Sequence, residues 1–193
     1  QGVSSAASDV YKRQESTEVS GVDLNFNRLI STSDNYGNVS LSINSTALIK
    51  FLTPALGNES TETMIDRVGK FNYDTNTHSL PKNRINAFLN WQYQDFDINF
   101  NSRYIDGYSN QRAINSLGSS YGYTNSVNSF FVHDLSVKKP VKTNKGQIDI
   151  KVSIINLFDE SAPRLYDAPD FSFDTRAHDP RGRIFGINFE YRH

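Results

Sequence analysis

The chain has no cysteine, a single methionine, a single tryptophan and no run near 18 consecutive apolar residues in its 193 positions. Without cysteine there is no disulfide scaffold, thiolate zinc site or cysteine nucleophile. Without a long apolar run there is no helical membrane span. A mean hydropathy of −0.55 leaves the β-barrel route across a membrane open, because only alternate residues of a barrel strand face lipid. An excess of charge of one sign is also missing. Twenty basic against 21 acidic residues leave a net charge of −1, which argues against a nucleic-acid binder and against an acidic solvating tail. Aromatics are abundant for so polar a chain, with 13 Phe and 10 Tyr. The length suits one ordinary domain.

The chain opens on Gln1 and not on Met, so its natural start is expected to have been lost or cut. Residues 3–14, VSSAASDVYKRQ, resemble a transposase-type sequencing adapter translated in frame. Residues 1–14 are therefore set aside as a non-native tail. Residues 15–193 are expected to be the C-terminal part of a larger gene product that continues upstream of Glu15.

From Val19 onward the dominant signal has period two. Val22, Leu24 and Phe26 alternate with Asp23, Asn25 and Asn27. The same holds for Val39, Leu41, Ile43, Ala47, Ile49 and Phe51, and for Ile85, Ala87, Leu89, Trp91 and Tyr93. It continues through Phe96, Ile98, Phe100, Ser102 and Tyr104, then Phe131, Leu135 and Val137, then Ile148, Ile150, Val152 and Ile154, and last Phe185, Ile187, Phe189 and Tyr191. Such alternation predicts seven half-buried strands. Ser, Thr, Asn, aromatic and β-branched residues fill them, and strong helix formers are few. One short helix is expected within residues 59–68.

The connections alternate in length. About seven residues at 31–37 are followed by about thirty at 52–83 and a tight turn at Gln94–Asp95. Then come about twenty at 106–126, about seven at 139–145 and about twenty-five at 156–182. Putting every long loop at one end is the pattern of an up-and-down outer-membrane barrel, with short periplasmic turns and long extracellular loops. Asn35 and Asn144 are then expected on the short-turn side, with Ser60, Gly118 and Asp170 on the long-loop side. Trp91, Tyr93, Phe96 and Tyr191 fall at the tight-turn ends, and Tyr104 and Phe185 at the opposite ends, as interfacial girdles would. His133 has the parity of the apolar face and fits it poorly, unless it sits near an interface or the local register is shifted.

Two motifs close the chain. Asn156-Leu157-Phe158-Asp159 ends the penultimate strand, and Asp179-Pro180-Arg181-Gly182-Arg183 opens the last. Pro180 and Gly182 suit a turn, and an Asp179–Arg183 ion pair is expected there. Together these motifs resemble the C-terminal end of TonB-dependent outer-membrane receptors. The resemblance covers residues 19–193, with the specific motifs in the last forty or so. It implies a transmembrane barrel of about 22 strands in a Gram-negative outer membrane, and uptake of a scarce nutrient such as a siderophore, cobalamin or oligosaccharide. It also implies outer-membrane lipid as surroundings and TonB as partner, through a plug region absent here. Gly186, Ile187, Phe189 and Tyr191 resemble the terminal strand signal read by the barrel-assembly machinery, although this chain ends in His193 and not in the usual Phe.

Chemistry is less legible. His78, His133, His178 and His193 are scattered, with no metal-ligand spacing. Neither a GxSxG nor a Gly-rich phosphate loop occurs, so no enzyme, metal or cofactor is expected. Ligand contacts are expected from the long loops. Tyr108, Tyr121 and Tyr123 lie among Ser, Asn and Gly, a composition that suits adaptable recognition as well as a solvated loop. Arg164 and Tyr166 head a last loop that also carries Asp167, Asp174, Arg176 and His178, where balanced charges more often mean internal pairing. A passive porin-like channel and a soluble carbohydrate-binding β-sandwich are the competing readings.

Overall fold

The computed structural model describes residues 17–31, 36–54, 64–73, 79–167 and 171–193. The adapter-like segment, Glu15, Asn35, Ser60, His78 and Asp170 lie outside the described residues. In chain order the elements are β1 (Glu18–Ser31), β2 (Asn38–Pro54), β3 (Met64–Asp66), β4 (Asn83–Tyr93), β5 (Phe96–Ile105) and β6 (Tyr108–Ser109). They continue with α1 (Ser116–Ser120), β7 (Ser126–Val127), β8 (Phe130–Thr143), β9 (Gly146–Ile155) and β10 (Ile184–Arg192).

The fold is all-β, antiparallel and up-and-down. The main sheet runs β1-β2-β4-β5-β8-β9-β10, with β3 added to the far end of β2. It is open, so β1 and β10 are its edges. Register keeps the alternation in phase from strand to strand. One row crosses the sheet as Val39, Trp91, Ile98, Val137, Val152 and Ile187. The neighbouring row on the opposite face is Ser40, Asn90, Asn99, Ser136, Ser153 and Gly186. A one-residue slip anywhere would exchange the two faces, so the pattern itself fixes the register.

The two faces differ in kind. On the polar face, Asp134 accepts from Arg103 at 3.1 Å, and the buried Asp149 pairs with Lys138 at 3.1 Å and with Arg192. Lys50 reaches Glu18 at 2.7 Å on the same face. On the apolar face, Leu24, Phe26, Ile187 and Phe189 are each more than half exposed. Among the described residues no helix or second sheet packs on it. The fully buried hydrophobic cluster lies off the sheet altogether, in Phe71, Tyr108, Val127 and Leu165 of the long connections. Single exposed apolar residues need no explanation, but an apolar face this wide does.

The structure corrects four local expectations. The connection between β8 and β9 is a two-residue turn, Asn144–Lys145, not a seven-residue loop, because β8 runs on to Thr143 and pairs it with Gly146. Residues 64–66 form strand β3 against Leu52, Thr53 and Pro54, where helix had been expected; residues 59–63 lie outside the described residues. The helix that is present, α1, lies in the next long connection, capped by Asn115 Oδ1 on Gly118 N–H at 2.7 Å. The register at His133 is regular, opposite Ser102. His133 therefore sits on the apolar face, with Nδ1 2.9 Å from Ser102 Oγ and its ring against Phe100, Phe131 and Phe158.

Candidate functional site in the loop cap

All three long connections emerge from one end of the sheet and fold together into a cap. Backbone pairing starts it: Lys70 bridges Ser109, Gly69 N–H donates to the Leu80 carbonyl at 2.7 Å, and β6 pairs with β7. Side chains from the three connections then lock it. The Tyr73 hydroxyl lies 2.7 Å from the Tyr166 carbonyl and 3.0 Å from Asn110 Oδ1, and Asn110 Nδ2 donates to the same carbonyl at 3.0 Å. Burial, followed by the nearby Asp167 charge, pushes the Tyr73 phenol up to about 12, so it stays a donor.

A second lock is buried more deeply. Ser79 donates to Asp174 Oδ2, and the Tyr108 hydroxyl lies 3.3 Å from that oxygen and 3.2 Å from His178 Nε2. Burial first, and the Asp174 carboxylate second, push the Tyr108 phenol far above its ordinary value. His178 is 5% exposed and packs against Phe130 and Tyr108. Its Nδ1 has no hydrogen-bond partner among the described residues. Burial holds this imidazole down at about 4, overriding the attraction of Asp174. The Ser79 hydroxyl bonds a carboxylate and not an imidazole, so the set joins loops and puts no base on a nucleophile.

Beneath the cap, on the polar face, a pocket of about 110 Å³ opens between the ends of β5, β8 and β9 and the last connection. Ile105, Phe130, Val132 and Ala177 give it apolar walls, with Arg103 and Asp179 beside them. Asp179 is held low, at about 2, chiefly by hydrogen bonds from Arg181, whose guanidinium lies 2.7 Å away.

Four of the five residues named from loop composition come together on the cap surface. Arg164 stands 5.8 Å over the Tyr123 ring and donates to the Tyr121 carbonyl at 3.3 Å. Tyr123 meets Tyr166 edge-on at 5.6 Å, and Tyr121 is 66% exposed. Tyr108, the fifth, is 4% exposed and committed to Asp174 and His178. Sequence reasoning missed Tyr73 and Arg112, which lies 4.5 Å over the Tyr73 ring and 3.5 Å from Asp167. It also missed Ser79 and Asn110. Their partners lie tens of residues away, so no local signal marked them.

The two C-terminal motifs pack on each other. Asn156 and Asp159 adopt left-handed backbone (φ 54° and 60°), a conformation Asn and Asp tolerate. The Asn156 side chain donates to the Glu160 carbonyl at 2.8 Å and accepts from its N–H at 2.9 Å. Leu157 N–H donates to the His133 carbonyl at 2.6 Å, and Phe158 is the ring that meets His133. Asp159 Oδ1 accepts from Arg183 N–H at 2.8 Å, and the Arg183 guanidinium reaches the Leu157 carbonyl at 3.3 Å. The expected Asp179–Arg183 pair is therefore replaced by Asp179–Arg181, which leaves Arg183 free to close the motif. Pro180 is exposed within the turn that follows Asp179. Gly182 has φ +68°, and a Cβ there would lie 2.9 Å from Asp159 Oδ1. Gly182→Ala should cost roughly 1–2 kcal/mol through strain and contact. Gly122→Ala, at φ +76° but with open space around it, should cost less. Denaturant unfolding of the two variants checks the difference.

In the terminal strand Gly186 lies opposite Ser153, and Ile187, Phe189 and Tyr191 lie opposite Val152, Ile150 and Ile148 on the apolar face. Compared with protein-family models, with curated proteins and with solved structures, the chain matches none.

Proposed function

We propose that this chain is the C-terminal segment of an outer-membrane β-barrel receptor of the TonB-dependent kind. In this reading it takes up a scarce nutrient of the siderophore, cobalamin or oligosaccharide class. The observation that carries the reading is the asymmetry of the sheet. Among the described residues, one face is mainly apolar from β1 to β10 with no helix or second sheet packed on it, and the other is polar and laced with ion pairs. Lipid on the first face and a watery lumen on the second satisfy both. A soluble sandwich would need a second layer over the apolar face. The unpaired backbone of β1 and β10 has no partner in hydrocarbon, so the barrel closes on strands from outside this chain. The C-terminal motifs, packed on each other, support the receptor over a plain pore. Nutrient binding falls to Tyr121, Tyr123, Arg164 and Tyr166 on the cap surface, while Tyr108 holds the cap together. TonB acts through a plug upstream.

Energy dependence separates the receptor from a passive channel. Uptake by cells producing the full-length protein should stop when an uncoupler collapses the proton-motive force. Unchanged flux would favour the channel. Sidedness is checked by cysteine labelling, simple in a chain without native Cys. Gly118 is a poor position, since its Cβ would meet the Tyr166 ring at 2.5 Å. The exposed Ser120 replaces it. An impermeant maleimide on intact cells should label Ser120→Cys and leave Asn144→Cys unlabelled; the reverse pattern would invert the topology.

A further inference from the structure

We infer that the apolar face, near the tight-turn end of the sheet, binds net-anionic phospholipid headgroups through Lys139. The inference rests on the membrane reading above and names the lipid chemistry that the sheet engages. Of all the charged residues on the seven long strands, only Arg28 and Lys139 share the apolar face. Arg28 lies opposite Leu41, and Lys139 opposite Ile150. Both are cations. Every strand carboxylate lies on the polar face, where Asp134, Asp149 and Glu18 are paired to Arg103, to Lys138 and Arg192, and to Lys50. Among the described residues, Lys139 and Arg28 have no ion-pair partner.

Their positions add to the argument. Lys139 stands four positions before Thr143, the end of β8, and one past the pair Asp97–Lys138 at the start of β5, whereas Arg28 shares the deeper row of Leu41, Leu89 and Phe100. For Lys139 that is roughly 13 Å of strand, within reach of the surface for a side chain that buries an apolar stem and raises a charged head. The Lys139 ammonium lies 4.8 Å over the Phe96 ring. Phe96 pairs with Tyr93, which stacks on Trp91 at 5.6 Å, and Trp91 Nε1–H donates to the Tyr36 carbonyl at 2.8 Å beside the β1–β2 turn. Aromatic rings with polar edges mark the level where hydrocarbon gives way to headgroups. At that level the anions available to an unpaired cation are lipid phosphates, which Arg binds in two-pronged fashion and Lys as a point charge.

Vesicle flotation of the full-length protein tests this. One set of vesicles is phosphatidylcholine alone; in the other roughly one lipid in three is phosphatidylglycerol. The protein should float with both, and more tightly with the anionic set. Lys139→Gln should weaken binding to the anionic vesicles about fivefold, with a much smaller loss on phosphatidylcholine. Lys139→Arg should restore it. Lys142→Gln is the control, because it removes the same charge from the opposite face and should have much less effect. Equal losses for Lys139→Gln and Lys142→Gln would mean a diffuse charge effect and overturn the inference, with the membrane reading intact. A full-length protein that floats with neither set would overturn the membrane reading and this inference with it. Circular dichroism of every variant confirms that the β signature is retained.

Discussion

Lowering the pH from 7 to 4 is expected to loosen the loop cap by about 3 kcal/mol, and replacing His178 with Phe should abolish most of that loss. The sign follows from the imidazole. In the closed cap its proton affinity is held at about 4, whereas an opened or unfolded chain returns it to 6.5. Between those values the open form takes up a proton that the closed form refuses, so opening is favoured progressively as the pH falls. The stability is fully present above pH 6.5, declines through the window, and has no further to fall below about pH 4. A difference of that size between the two values corresponds to about 3 kcal/mol. Asp179 works in a lower window, since its depressed value of about 2 lies beneath its ordinary 3.8; its stabilisation is lost only at still more acid pH. Phe at position 178 keeps a ring against Phe130 and Tyr108, and the Tyr108 hydroxyl retains Asp174. Equilibrium denaturation of both proteins at pH 7 and pH 4 measures the effect. The same acid loss in His178→Phe would assign it to other groups.

The sheet was legible because its information is local. Two faces with period two, repeated seven times, left one way to pair strands that keeps Val39, Trp91, Ile98, Val137 and Val152 in a single row. The missed extension of β8 has a physical reason. Lys139, Pro140, Lys142 and Lys145 read as a turn, because charge and proline are poor strand signals. In the structure β5 stops pairing at Asp97 with Lys138, so Pro140 lies on a stretch bonded to β9 alone. A residue without an N–H is tolerated where one side of the strand is open.

The cap was legible in composition and not in arrangement. Tyrosines among Ser, Asn and Gly marked the right connections. They could not distinguish Tyr121, which faces solvent, from Tyr108, which is sealed beneath Asp174 and His178. The distinction depends on Ser79 meeting Asp174 across 95 residues and Tyr73 meeting Tyr166 across 93. Pairings that distant leave no periodicity. The C-terminal motifs were recognised as a turn, but left-handed Asn156 and Asp159 also make the first motif a backbone receiver for Arg183. That pairing displaced the simpler ion pair read from sequence.

Replacing Phe100 with Arg should cost roughly 2–4 kcal/mol in folding titrations into bilayer vesicles, far more than the same substitution at the adjacent Asn99. Phe100 lies in the middle of β5, opposite Leu89 and Leu135, with the His133 ring stacked at 5.4 Å. In the proposed barrel an arginine there would sit among aliphatic neighbours near the midplane, where lipid offers no counter-charge. Asn99 has the opposite parity, between Asn90 and Ser136, and its amide bonds Asn90 and Asp97. An arginine at that position meets a polar face with a carboxylate beside it. Ile150 is a less clean site, because it faces Lys139 and a second cation would add repulsion to desolvation. Three outcomes are distinguishable. A large loss at Phe100 with a small one at Asn99 supports lipid against the apolar face. Equal losses overturn the assignment of faces. Little or no loss at Phe100, with improved solubility, would mean that the face meets water, and the outer-membrane reading would fall with it.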